Sequence, residues 1–258
     1  LLVELYLALR TRLVERAETS PLYRWLALGS RRLDEASKTR DRRWLKILGV
    51  VGIVVAIIVH GGVGSIFAVA KARPAWFSGL FPIVFLVSAL ASGGALLTAL
   101  VAMTSRLAPE RKAALLRDLA RMSLGILCFD LLLLTSEVLV TLYGNVPHES
   151  IGWKLTLFGP YWWVFWFVQL GAGFLVPALL VSLPRTRAST QALGAAGLLM
   201  VLGLMGARLN LVIPAQIHPA FDVLPEAYQH IRWALGYTPN AVEWGLLAGT
   251  FALGAWMF

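Results

Sequence analysis

The 258 residues are 58% hydrophobic and only 14% charged, with a mean hydropathy of +0.72, which sets aside a soluble α/β enzyme and reads as an integral membrane protein. The formal net charge of +9 at pH 7 is interspersed with acids and suits lipid headgroups and membrane topology, so no nucleic-acid partner is expected. The single cysteine, Cys128, cannot build a disulfide, a CxxC zinc site or a cysteine-ligated cluster, so any metal redox centre belongs to partner subunits.

In chain order, the apolar heptapeptide LLVELYL opens at Leu1, and another apolar run stops at Phe258. Both ends read as cut from a longer protein, and residues 1–9 lack the basic leader and cleavage site of a signal peptide. Residues 10–46 hold eleven Arg and Lys side chains with Glu15, Glu18, Asp34, Glu35 and Asp41 between them. This pattern predicts a basic cytoplasmic helical hairpin against the membrane. Six spans follow, at about 47–70, 78–105, 113–143, 159–183, 189–213 and 237–258, each long enough for a hydrocarbon core of ~30 Å. With no repeat and no linker, residues 1–258 read as one all-α, polytopic transmembrane bundle.

Basic residues orient it. Eighteen of them fall in or beside loops on one side, and only Lys71, Arg73, Lys154 and Arg232 fall on the other, so segments 71–77, 144–158 and 214–236 are expected to be extracytoplasmic loops. Trp76, Trp153, Trp162, Trp163 and Trp233 gather on that side, as an interfacial aromatic belt does.

The third span, MSLGILCFDLLLLTSEVLVTLYGN from Met122, carries two carboxylic acids, Asp130 and Glu137. A carboxylate in hydrocarbon costs several kcal/mol unless paired, neutralised or facing water. At 1.5 Å per residue, Glu137, Arg208 and Glu243 all lie roughly 8 to 9 Å below the outer surface, and His60, Asp130 and Gln169 lie deeper, at roughly 15 to 20 Å. Two acids and one arginine at one depth on three helices form either a salt bridge that locks helices together or a polar pocket open outward. Beside His60, Gly61, Gly62 and Gly64 leave room for another backbone or a flat ligand. The runs Ser88, Ser92, Gly93, Gly94 and Gly194, Gly197 read as helix packing. His148, His218 and His230 fall outside the spans, so the paired histidines of a b-type haem are not visible. There is no P-loop, HExxH or GxSxG arrangement.

HGGVGSIFAVAKARPAWFSGLFPIVFLVSALASGGALL, from His60 to Leu97, resembles the core signature of the NrfD/PsrC family. TSEVLVTLYGN (135–145), GPYWWVFW (159–166), ARLNLVIPAQ (207–216) and YTPNAVEW (237–244) follow in order. They are similar to the longer branch of that family, which includes HybB, DsrP, QrcD and the membrane subunits of alternative complex III. One departure is Leu142-Tyr143, where family members often have Trp-Tyr. The resemblance implies a ten-helix membrane subunit in the prokaryotic cytoplasmic membrane, with no haem or metal of its own and helices missing here at both ends. It also implies a menaquinone or ubiquinone site near the extracytoplasmic side. The implied partners are a ferredoxin-like iron–sulfur subunit docked outside and further molybdopterin, hydrogenase or multihaem cytochrome subunits.

The family's intramembrane polar residues carry over onto His60, Asp130, Glu137, Tyr143, Arg208 and Glu243. On this reading a quinol oxygen bonds to His60 or Tyr143, and His60, with an unperturbed pKa of ~6.5, is the first proton acceptor. Glu137 and Glu243, tempered by Arg208, relay protons outward, and Asp130 extends the path toward the midplane. The competing expectation is a structural anchor or proton-conducting subunit of the same kind of complex that does not react with quinone.

Overall fold

A computed structural model describes residues 2–17, 21–27, 34–144, 147–217 and 237–257, and every regular element among them is helical. Contacts divide the chain into two units, Leu1–Gly62 and Val63–Phe258, with the boundary inside one continuous helix.

The N-terminal unit contains α1 (Leu2–Arg16), α2 (Pro21–Leu26) and the first part of α3 (Glu35–Ala68). Val14, Ala17 and Ala27 make a small apolar contact between α1 and α2. Arg10 donates from Nη1 to both oxygens of Asp41, at 3.0 and 3.1 Å, and so fastens α1 to the charged start of α3. A second pair, Lys38 to Glu35 at 2.8 Å, lies three residues apart in the exposed first turn of α3. The expected hairpin over 10–46 is therefore differently built. Its first arm begins at Leu2, and residues 35–46 are about three turns of the helix that carries the first span, because no proline interrupts Glu35–Ala68.

The C-terminal unit continues through a 3₁₀ turn (Pro74–Trp76), α4 (Phe81–Thr104), α5 (Pro109–Gly144) and α6 (Pro147–Phe158). A π-helix (Val164–Leu175) then runs directly into α7 (Val176–Ser182), followed by α8 (Thr190–Ile217) and α9 (Ala241–Met257). Among the described residues, Glu35–Ala68, Phe81–Thr104, Pro109–Gly144, Val164–Ser182 and Thr190–Ile217 are long and apolar enough to cross a membrane. The sixth expected span is the shorter apolar helix α9. Two expectations change: 144–158 contains a helix, α6, where a loop was expected, and most of the 214–236 loop lies outside the described residues.

α4, α5, α8 and the π-helix hold together by close approach of small residues, since lipid offers no hydrophobic drive for helix association. The core joins Ala91 and Ala95 of α4, Leu116, Ala120 and Leu127 of α5, Val181 of α7 and Leu193, Ala196, Met200 and Leu204 of α8. Its alanines let the axes come near. A Cβ on Gly197 would lie 2.6 Å from the Ala95 carbonyl oxygen, and one on Gly194 would lie 2.6 Å from the Ala102 Cβ. Closest of all are the π-helix and α8, where a Cβ on Gly203 would stand 2.2 Å from the Gly173 Cα. Toward the other end of the bundle the facing positions are Phe81, Phe85, Phe165 and Arg208, and there the helices leave a gap.

The Gly173–Gly203 contact is backbone against backbone, so no rotamer change can relieve an added methyl. Gly203→Ala is expected to lower the stability of the detergent-solubilised protein by about 1 to 3 kcal/mol. Gly93→Ala, whose Cβ meets nothing within 4 Å, should leave stability unchanged or raise it; thermal unfolding of the two variants side by side checks the difference.

Candidate functional site

The gap is an open recess with about 790 Å³ of empty space, counting its mouth. It lies in the half of the bundle that holds the start of α4, the end of α5 and the end of α8, the half that the basic-residue pattern reads as extracytoplasmic. Its wall is mostly apolar, as ligand sites are, with a few convergent polar groups: Ser88, Asp130, Glu137, Thr156, Gln169, Arg208 and Asn210.

Each polar group is placed by its helix. Asp130 and Glu137 sit seven apart on α5, two turns that return to nearly the same face, and both reach the recess. Arg208 comes from α8 and lays its guanidinium over the Phe85 ring of α4, with Cζ 4.1 Å from the ring centroid. Such a cation–π contact is worth about 2 kcal/mol or more when desolvated. Among the described residues Arg208 makes no ion pair within 4.0 Å, so of the two alternatives the salt bridge between helices is not formed; an aromatic face holds the cation instead. Asp130 Oδ1 is buried and has no hydrogen-bond partner among the described residues, a cost of about 1 to 3 kcal/mol, and more for a charged group. The Ser78 hydroxyl lies beside the Glu137 carboxylate. Asn210 Nδ2 donates to Gln169 Oε1 at 2.9 Å, joining α8 to the π-helix across the wall.

The outer cover is built from the 3₁₀ turn and α6. The Trp76 indole N–H donates to the Leu211 carbonyl at 2.8 Å, and Arg73 donates to that of Ala215 at 3.2 Å. Both acceptors lie in the last turns of α8, and the Ala215 carbonyl is one of its last four, which have no partner within the helix. α6 presses on the turn where a Cβ on Gly152 would lie 2.6 Å from that of Ala75, and its Trp153 and Thr156 line the recess. Asp130, Leu134, Gln169 and Ala207 also line a second cavity of about 320 Å³, which reaches along α5 to Leu127 and along α8 to Gly203.

Of the six residues singled out in the sequence, the recess brings together Asp130, Glu137 and Arg208. It merges the two expected depth layers, since Asp130 and Gln169 share one wall with Glu137 and Arg208. Tyr143 does not line it: it lies at the end of α5, 95% exposed. Glu243 is occupied elsewhere. Its carboxylate accepts from the Asn240 backbone N–H at 2.7 Å, while Asn240 Oδ1 accepts from the Glu243 N–H at 2.9 Å, a capping box that starts α9.

His60 belongs to the N-terminal unit, exposed on α3, with its Nδ1 donating to the Ala56 carbonyl at 2.9 Å. Of its neighbouring glycines, Gly64 serves backbone approach, as a Cβ there would stand 2.6 Å from the Pro82 Cα. Asn210, Ser88 and Thr156 were missed as site residues. The signal for Asn210 was present, a polar amide two residues from Arg208 in an apolar run, but that spacing does not share a helical face. Among the described residues no cluster of three or more His, Cys, Asp or Glu could hold a metal ion.

Long apolar helices packed on small residues around a recess with acids, a guanidinium and amides define a polytopic helical membrane protein with a polar site inside its bundle. The family described as Polysulphide reductase, NrfD, matches residues 1–220, and the chain belongs to it. It is 37% identical over 268 residues to a selenate reductase subunit of Mesobacillus selenatarsenatis, covering 100% of this chain and 62% of that protein. It is 29% identical over 205 residues to the Hdr-like menaquinol oxidoreductase integral membrane subunit of Archaeoglobus fulgidus, covering 77% of this chain and 51% of that protein. The chain thus spans between half and two thirds of the length of these relatives.

The Arg208–Phe85 contact is directly measurable. In a double-mutant cycle, Phe85→Leu and Arg208→Met should show a coupling of about 1 kcal/mol or more in unfolding free energy; additive effects would mean that the cation gains nothing from the ring.

Proposed function

We propose that the chain is the quinone-reactive membrane subunit of a prokaryotic respiratory oxidoreductase complex, taking quinone or quinol into the recess near the extracytoplasmic side. The observation that carries this reading is the convergence of Asp130, Glu137 and Arg208, from two helices, on one open and largely apolar recess. A quinone headgroup is flat and apolar on its faces and has an oxygen at each end. It therefore needs an apolar slot with hydrogen-bonding groups at a few points of the wall. The name of the archaeal relative, a menaquinol oxidoreductase subunit, supports the same ligand class.

Oxidation of a quinol releases two electrons and two protons. The protons need bases within about 2.6 to 3.2 Å of the hydroxyls. Glu137 and Asp130 are the carboxylates on the recess, and the unpartnered Asp130 Oδ1 is free to accept. Arg208, held on Phe85 rather than spent in an ion pair, can offset the negative charge of an acid or of a departing quinol anion. His60 is retained in the proposal as a further proton acceptor. With its Nδ1–H given to Ala56, its Nε2 is the nitrogen left to accept a proton. Tyr143 and Glu243 would act at the rim. The electrons pass to an iron–sulfur subunit outside the membrane, seated on the 71–77 turn and α6, and onward to further redox subunits. Lys71 and Arg73 supply positive charge on that surface.

Asp130→Asn, Glu137→Gln and His60→Gln, each in the full-length protein within its complex, should lower quinol turnover by 100-fold or more, as loss of an acid or base does at roughly 10²- to 10⁴-fold. The partner subunits should still co-purify. Wild-type turnover of menadiol in any one of these variants would reject the assignment of that residue, and in all three the quinone reading itself.

A further inference from the structure

Among the described residues, the Gln169–Asn210 bridge is the one polar contact on the recess wall formed between two uncharged side chains on different helices, and the proposed chemistry does not use it. Its geometry follows from packing. The π-helix and α8 touch backbone to backbone at Gly173 and Gly203. Gln169 lies four residues before Gly173 and Asn210 seven after Gly203, so both amides project from the same closely tied pair of helices toward the recess. A π-helix is rare and is frequently found at functional sites. Here it carries Phe165 and Gln169 to the wall.

Asn210 donates from Nδ2 to Gln169 Oε1, so the oxygen of Gln169 is engaged, and its NH₂, a double donor, makes no hydrogen bond to another described residue. The recess thus holds acceptors at Asp130 and Glu137 and a neutral donor at Gln169. A ligand whose oxygens alternate between carbonyl and hydroxyl meets them differently in its two redox states: a carbonyl accepts from an NH₂, whereas a hydroxyl prefers to give its proton to a carboxylate.

We propose that Gln169 donates a hydrogen bond from its NH₂ to a ring carbonyl of the oxidised quinone, and that Asn210 is a positioning residue that holds the amide in that orientation. Gln169 then discriminates the oxidised from the reduced ligand in the same site, a role that rests on the quinone reading above. Gln169→Glu separates the two functions of the side chain. A glutamate still accepts from Asn210 and keeps the bridge, but it has no NH₂ to give.

The test is anaerobic equilibrium binding of menadione and of menadiol to the purified complex with the full-length chain. Gln169→Glu should weaken menadione about tenfold, the scale of one hydrogen bond, and change menadiol less than threefold. Asn210→Leu should move the menadione-to-menadiol ratio in the same direction by a smaller factor, which loss of packing alone would not do. If the wild-type complex binds neither probe, the quinone reading fails and this proposal with it. If the wild type binds both and Gln169→Glu keeps the wild-type ratio, the amide pair only ties helices together; the proposal is then overturned while the quinone reading stands.

Discussion

Charge does not survive in hydrocarbon without something to face. Asp130, Glu137 and Arg208 lie in helices that are otherwise apolar, and the structure deals with each differently. Arg208 is covered by an aromatic ring, Glu137 has a serine hydroxyl beside it, and Asp130 keeps one oxygen unsatisfied. The acids and the base line one recess without forming an ion pair, and a buried pair would not by itself repay the cost of desolvating both charges. The bundle can bear this because its other end is tied firmly, where alanine and glycine let α4, α5, α7 and α8 close around Leu116, Leu193 and Met200.

The same division explains the shape of the site. Small residues fix the axes at one end, and phenylalanines and an arginine keep them apart at the other. The recess is thus a consequence of side-chain volume along four helices rather than of a loop. In its cover, the 3₁₀ turn is anchored by hydrogen bonds from Arg73 and Trp76 to the Ala215 and Leu211 carbonyls in the last turns of α8, and α6 packs against that turn. These elements cover the outer end of the recess, where α6 supplies Trp153 and Thr156 to its wall.

Much of this was legible in the residues. The long apolar runs place the second to fifth spans within about five residues of the helices, because hydropathy and length suffice in lipid, whereas the first helix starts twelve residues earlier, at Glu35. Asp130, Glu137 and Arg208 stand out for the cost of burying them. The rest depended on information the pattern does not carry. α6 is 12 residues of mixed polarity, too short for a span and without a strong apolar stripe, so it read as loop. The π-helix arises where Gly173 meets Gly203, a tertiary contact invisible to local periodicity. Glu243 was grouped by depth with Arg208, although Asn240 three residues before it spells a helix cap; the local signal was present and the depth argument outweighed it. Tyr143 entered through the family resemblance alone, and where α5 ends its side chain is almost wholly exposed.

The family match and the relatives place the chain among membrane proteins named for redox complexes, and the recess is where its own residues could meet a lipid-soluble electron carrier. The most direct measurement is photolabelling of the assembled complex in its native membrane with an azido-naphthoquinone, followed by peptide mapping. Label concentrated on the segments around Asp130–Glu137 and Ala207–Ala215, and displaced by excess menadione, is the predicted result. Displaceable label found only on other segments or other subunits would contradict a quinone site in this bundle.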